Sequence, residues 1–165
     1  MATHLKNLSE FNADELPSAK AMRIGIIVSE WNREITNSLL QGAVDTLMKQ
    51  GAEKSNIIIV HVPGSFELTS GAKMLADIEN VDGIICIGCV IRGVTPHFDY
   101  ICQGVTQGIT SLNLSYNMPF VFGVLTTDNI QQAKDRAGGI HGNKGDEAAV
   151  TVIKMISLNK KLKQI

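Results

Sequence analysis

Short β-branched runs alternate along this chain with stretches in which apolar residues recur every three or four positions. The first run, MRIGIIVSE (22–30), ends in polar residues and predicts a buried strand. Ile35, Leu39, Leu40, Ala43, Val44, Leu47 and Met48 then repeat at helical spacing, with Asn32 placed as N-cap and Gly51 as stop. NIIIVHVPG (56–64) predicts a second strand closed by Pro63 and Gly64, and a helix follows from Ser65 to about Ile78, with Leu68, Ala72, Leu75 and Ala76 on one face. DGIICIGCVIRG (82–93) predicts a third strand, and Ile101, Val105, Ile109 and Leu112 mark a helix from His97 to Tyr116. Gly104 and Gly108 each weaken that helix by about 1 kcal/mol relative to Ala; their spacing suggests close packing on a neighbour, in this subunit or another. FVFGVLTT (120–127) predicts the fourth strand, Asp128 is placed as the cap of DNIQQAKDRAGG, and a last helix runs from Asn143 to about Leu158.

Strand–helix alternation of this regularity implies a parallel sheet with helices on both faces and right-handed crossovers. The expected fold is α/β: a three-layer, doubly wound sandwich around a central parallel sheet of about four strands, flavodoxin-like in layout. Residues 1–21 form an expected N-terminal arm and residues 22–165 the domain. Composition adds limits. With 165 residues, 44% hydrophobic and 19% charged, the chain can bury one sizeable core. A net charge of −1 argues against nucleic-acid or membrane-surface partners. The polar start lacks a signal-peptide core, and no apolar run reaches the ~18 residues of a membrane span, so a cytoplasmic location is expected.

Cys86 and Cys89 form a C-x-x-C, but inside the run GIICIGCVI they point to opposite faces of a strand. Buried, inert thiols are expected there, not a redox or zinc pair. His61, His97 and His141 have no carboxylate or thiolate at ligand spacing, so no metal site is expected.

In doubly wound sheets ligands bind beyond the carboxyl ends of the strands. Four segments converge there: residues 29–32, 63–67, 92–97 and 126–128. Arg92, Thr95 and His97 share one turn, and Gly93-Val94-Thr95 leads into a helix start suited to an anion. KDRAGGIHGNKG (134–145) supplies Arg136 and Lys144 for a phosphate, although it lacks the Walker order and no G-x-G-x-x-G occurs. Each piece has a plainer reading: Trp31, Phe66 and Phe122 as core, Glu67 as a helix-dipole partner, His97 as a cap. The residues alone point to a pocket for a planar ring and a phosphate, with one histidine suited to proton transfer.

The segments VSEWN, VPGSFELT, GCVIRGVTPHFDYI, FGVLTTDNIQQAKDRAG and GNKGDEAA resemble, in order and across residues 22–160, the 6,7-dimethyl-8-ribityllumazine synthases. The resemblance implies condensation of 5-amino-6-(D-ribitylamino)uracil with 3,4-dihydroxy-2-butanone 4-phosphate, the step before riboflavin, without metal or organic cofactor. It implies His97 as catalytic group. It implies Trp31, Ser65, Phe66, Glu67, Cys89, Val90, Ile91 and Phe122 for the ribitylaminouracil, with Phe122 supplied by the adjacent subunit. Val94, Thr95 and Arg136 would hold the butanone phosphate, with Lys144 as a further phosphate contact. Trp31 stands where the family usually has Phe, Ser65 where Ala is common and Cys89 where Thr is usual, and Pro96 is a further departure. The implied partners are copies of the chain, as a pentamer building a sixty-subunit capsid, and riboflavin synthase. The rivals are a flavodoxin-like module that binds a flavin without catalysis, a receiver domain, which lacks its acceptor Asp here, and a purely structural shell protein.

Overall fold

In the computed structural model, which describes residues 16–164, Ile24–Ser29 (β1) is buried at every position. Such a strand has no solvent face, so both its sides must be covered by other elements. It lies in the middle of a four-stranded parallel sheet, hydrogen-bonded to Ile57–Val62 (β2) on one side and Gly83–Ile91 (β3) on the other. Phe120–Thr127 (β4) completes the sheet beyond β3, in the order β2-β1-β3-β4.

The alternation of side chains along the strands divides the core in two. Ile24, Ile26, Val28, Ile85, Ile87, Cys89, Val121 and Leu125 face Arg33–Lys49 (α1) and Lys144–Leu162 (α5), which bring Leu39, Leu47, Ile153 and Ile156. Ile27, Ile84, Cys86, Phe120 and Val124 face Leu68–Ile78 (α2) and His97–Ser115 (α3), which bring Leu68, Leu75, Val105 and Ile109. Each such side chain, fully buried, contributes about 1.5–3 kcal/mol. This is the doubly wound sandwich the pattern predicts. Leu16 and Ala19, which fall in the expected N-terminal arm, pack into the first core layer; residues 1–15 of that arm lie outside the described residues.

Several local expectations are corrected. Asp128 does not cap a helix: Asn129 does, its side-chain oxygen accepting from the Gln132 amide at 2.9 Å ahead of the short helix Ile130–Lys134 (α4). Asp128 pairs with Arg92 instead. Asn32 sits at the N-cap position of α1 but in the left-handed conformation (φ 57°), with its side chain turned away from the helix amides. Its amide nitrogen donates to the Cys89 carbonyl at 2.8 Å. Ser65–Glu67 forms a 3-10 turn ahead of α2, and α5 runs to Leu162, one turn beyond its expected end. Ala137–Gly139 (β5) and Gly142–Asn143 (β6) form a small hairpin that no periodicity announces.

Gly104 and Gly108 pack closely within this chain. A Cβ added at Gly108 would stand 2.4 Å from Thr69 Oγ1, and one at Gly104 3.0 Å from the Phe66 ring. The two glycines let α3 close down on α2 and on the turn that carries Phe66.

Candidate active site

The strand order reverses between β1 and β3, so their carboxyl ends diverge to opposite crossovers and leave a crevice between them. Three backbone and side-chain bonds tie the rim together. The Glu30 amide donates to the Val62 carbonyl (2.8 Å), the Trp31 amide to the Pro63 carbonyl (3.2 Å), and Asn32 to Cys89 as above. The loop after β1 is thereby fixed to the ends of both neighbouring strands.

A cavity of about 610 Å³ opens at this point. Trp31 and Phe66 line it, as do Ser65 and Glu67, the Cys89–Ile91 segment and His97. Trp31 is 72% exposed and Phe66 57% exposed, so neither closes the core. Large aromatic faces left in water beside a cavity mark a place where a planar or apolar group docks. Ser65 Oγ is buried without a hydrogen-bond partner among the described residues. It packs on Gly88, where an added Cβ would stand 2.7 Å away. Glu67 ends the 3-10 turn at the start of α2, where its negative charge is favoured by the helix dipole.

His97 is the first residue of α3 and is exposed at the cavity mouth. Ahead of it, the amides of Gly93, Val94 and Thr95 have no partner among the described residues. Free amides at the start of a helix make a ready anion site.

The remaining expected site residues lie elsewhere. Phe122, Arg136 and Lys144 line a separate cavity of about 570 Å³ along the free edge of β4, facing α5. It shares no lining residue with the first. The Arg136 guanidinium donates once, to the Gln132 carbonyl (2.9 Å), and has no other partner among the described residues. Ser38 supports this region: its hydroxyl donates to the Ala137 carbonyl (2.5 Å), and the Asn143 side chain donates to the Ser38 carbonyl (2.9 Å). Lys144 is paired with the Glu147 carboxylate, both mostly buried.

Two site residues were only partly legible in the sequence. Asn32 stands in the 29–32 segment expected at the rim but reads as a helix cap, and the bond from its side-chain amide to the Cys89 carbonyl is what shows that it braces the crevice. Glu147, three residues after Lys144 on one helix face, was findable by its spacing.

Cys86 and Cys89 behave as buried thiols. Cys86 lies in the α2/α3 core layer and Cys89 in the α1/α5 layer, on opposite faces of β3. Burial pushes Cys86 up to about 12 and Cys89 up to about 11, so both stay protonated near neutral pH. An unfolded chain ionises both thiols above about pH 9 while the folded chain keeps its protons. Stability is therefore full below that pH and falls above it, by about 1.4 kcal/mol per pH unit for each thiol. A double Cys86→Ala, Cys89→Ala variant should show a flatter decline of urea stability between pH 9 and 11. An unchanged slope would contradict the assignment.

A model of the 6,7-dimethyl-8-ribityllumazine synthase family matches residues 21–160. Proteins named 6,7-dimethyl-8-ribityllumazine synthase are similar along nearly their whole length. The one from Parabacteroides distasonis is 60% identical over 159 residues, covering 96% of this chain and 99% of the relative. That from Porphyromonas gingivalis is 57% identical, covering 97% and 99%, and that from Phocaeicola vulgatus 53%, covering 99% and 98%. An aromatic crevice at the sheet's switch point, a histidine at its mouth and identity of this extent lead to one conclusion: the chain belongs to the 6,7-dimethyl-8-ribityllumazine synthase family.

Proposed function

We propose that this chain condenses 5-amino-6-(D-ribitylamino)uracil with 3,4-dihydroxy-2-butanone 4-phosphate to give 6,7-dimethyl-8-ribityllumazine, phosphate and water. The observation that carries the reading is the meeting of Trp31, Phe66, Glu67, the Cys89–Ile91 backbone and His97 in one crevice, in a chain of this family. Trp31 offers a stacking face for the pyrimidine, and Glu67 with Ser65 offers oxygens to the hydroxyls of the ribityl chain. The main chain of Cys89, Val90 and Ile91, along the cavity wall, reads the edge of the uracil. The unpartnered amides of Val94 and Thr95 receive the phosphate.

The chemistry asks little of the protein in the way of nucleophiles. An amine condenses with a ketone and loses water, phosphate leaves, an enol tautomerises, and the ring closes with loss of a second water. Every step moves a proton, and His97 at the crevice mouth is placed to give and take it. Phosphate departure builds negative charge, which a guanidinium stabilises best when already in place. Holding two substrates in register supplies a further share of the rate.

Arg136 and Phe122 line the other cavity, so the site is complete only when a second copy of the chain brings them to the first crevice. A contact that joins two different faces of identical subunits is heterologous, and it forms a ring when its rotation closes. The resemblance to the family sets that ring at five; a capsid of sixty chains, a cytoplasmic setting and riboflavin synthase as a partner belong to the same reading.

Mixing the protein with both substrates should produce lumazine absorbance and fluorescence, with neither substrate alone sufficient. Tight flavin binding with no consumption of the pyrimidine amine would favour a flavin-binding module instead.

A further inference from the structure

Arg92 belongs to the opening turn of the site, yet nothing in the condensation uses it. Its side chain joins three elements. Nε donates to Asp128 at the end of β4 (3.1 Å), and Nη1 to Asp99 in the first turn of α3 (3.1 Å). The guanidinium also lies over the Phe98 ring, 4.1 Å from its centre. Its backbone amide donates to the Thr127 carbonyl (2.8 Å). Phe98 and Asp99 are the two residues that follow His97 on the helix.

The turn between Arg92 and His97 has little else to hold it. Gly93, Val94 and Thr95 donate no amide hydrogen bond among the described residues, and all are exposed. A Cβ placed on Gly93 would meet nothing within 4 Å. The anchors of this segment are thus the β3–β4 ladder at one end, the α3 packing at the other, and the Arg92 fork between them.

The fork has no comparable claim on stability. Arg92, Asp99 and Asp128 side chains are 45%, 61% and 67% exposed, and exposed ion pairs contribute little to folding. A planar guanidinium that stacks on one ring and reaches two carboxylates at fixed angles is instead a geometric device. It also cancels charge: without it, Asp99 and Asp128 would stand uncompensated beside the amides that await an anion.

From this we infer that Arg92 is a positioning residue. It sets the first turn of α3, and so His97 and the Val94-Thr95 amides, against the end of β4, and it neutralises the two carboxylates flanking the phosphate site. The inference rests on the proposed condensation and makes two separable claims. Arg92→Met should lower kcat roughly tenfold, less than the about 10²-fold that a 1 Å misplacement of reacting groups can cost. It should also raise KM for the butanone phosphate and leave KM for the pyrimidine unchanged. Arg92→Lys, which keeps the charge and loses the fork, should restore the KM but not the kcat.

The test is steady-state kinetics of the full chain, with thermal midpoint and native mass spectrometry on each variant. The readout that a merely structural role would not move is the coupling with His97. In a His97→Ala background, Arg92→Met should cost little further kcat, because the group it positions is gone. Equal losses in both backgrounds, no loss in either, or a variant that no longer assembles would each overturn the inference. A wild-type protein that makes no lumazine would overturn the condensation itself, which keeps the two failures apart.

Discussion

Replacing His97 with alanine should lower turnover by about 10²–10⁴-fold, the usual contribution of a positioned general acid–base. The loss should sit toward the lower end of that range. His97 is exposed at the mouth of the crevice, so water can enter the space it vacates and carry protons less efficiently. The protein should remain folded and assembled, because the imbedded member of that turn is Phe98, not His97. KM for both substrates should change little. Single-turnover kinetics with light scattering on the same sample separates the two roles. A His97→Ala protein with wild-type turnover, or one that falls apart, would make His97 a helix cap and nothing more.

The second large effect belongs to Arg136. Its guanidinium spends one N–H on the Gln132 carbonyl, which fixes its direction and leaves the rest of the fork free for a ligand. Losing a charge-assisted bond to phosphate costs about 1.5–3 kcal/mol, or roughly 10- to 150-fold. Arg136→Ala should therefore raise KM for the butanone phosphate by that factor and barely move KM for the pyrimidine. Equal effects on both substrates would show that Arg136 holds something other than the phosphate.

The fold was readable because its signals are strong and local. Five consecutive apolar residues at 24–28 and nine at 83–91 leave no polar face along either strand, and the helices between strands carry their apolar stripes plainly. The β5–β6 hairpin was not readable: its strands hold five residues between them, three of them glycine, with too few side chains to show a period. Asp128 was mistaken for a cap because Asp and Asn cap equally well and stand side by side there; only the geometry of Asn129 decides. The ends of the strands gave the crevice, since the topology brings 29–32, 63–67 and 89–97 together whatever their side chains do. Arg136 and Phe122 could not be placed by the same rule, because a free strand edge says nothing about which copy of the chain will cover it. Their assignment to the same site came from the resemblance. The single chain keeps them apart.

That separation makes the shared site the central claim, and co-expression of two inactive variants tests it most directly. A chain with His97→Ala retains Arg136, and a chain with Arg136→Ala retains His97. If each site is built between neighbours in a heterologous ring, random mixing in equal amounts gives about a quarter of the sites both groups intact. Rings shown by native mass spectrometry to contain both chains should recover lumazine formation to about that fraction of wild type. Mixed rings no more active than the sum of the two parents would show that His97 and Arg136 do not serve one site across a subunit boundary.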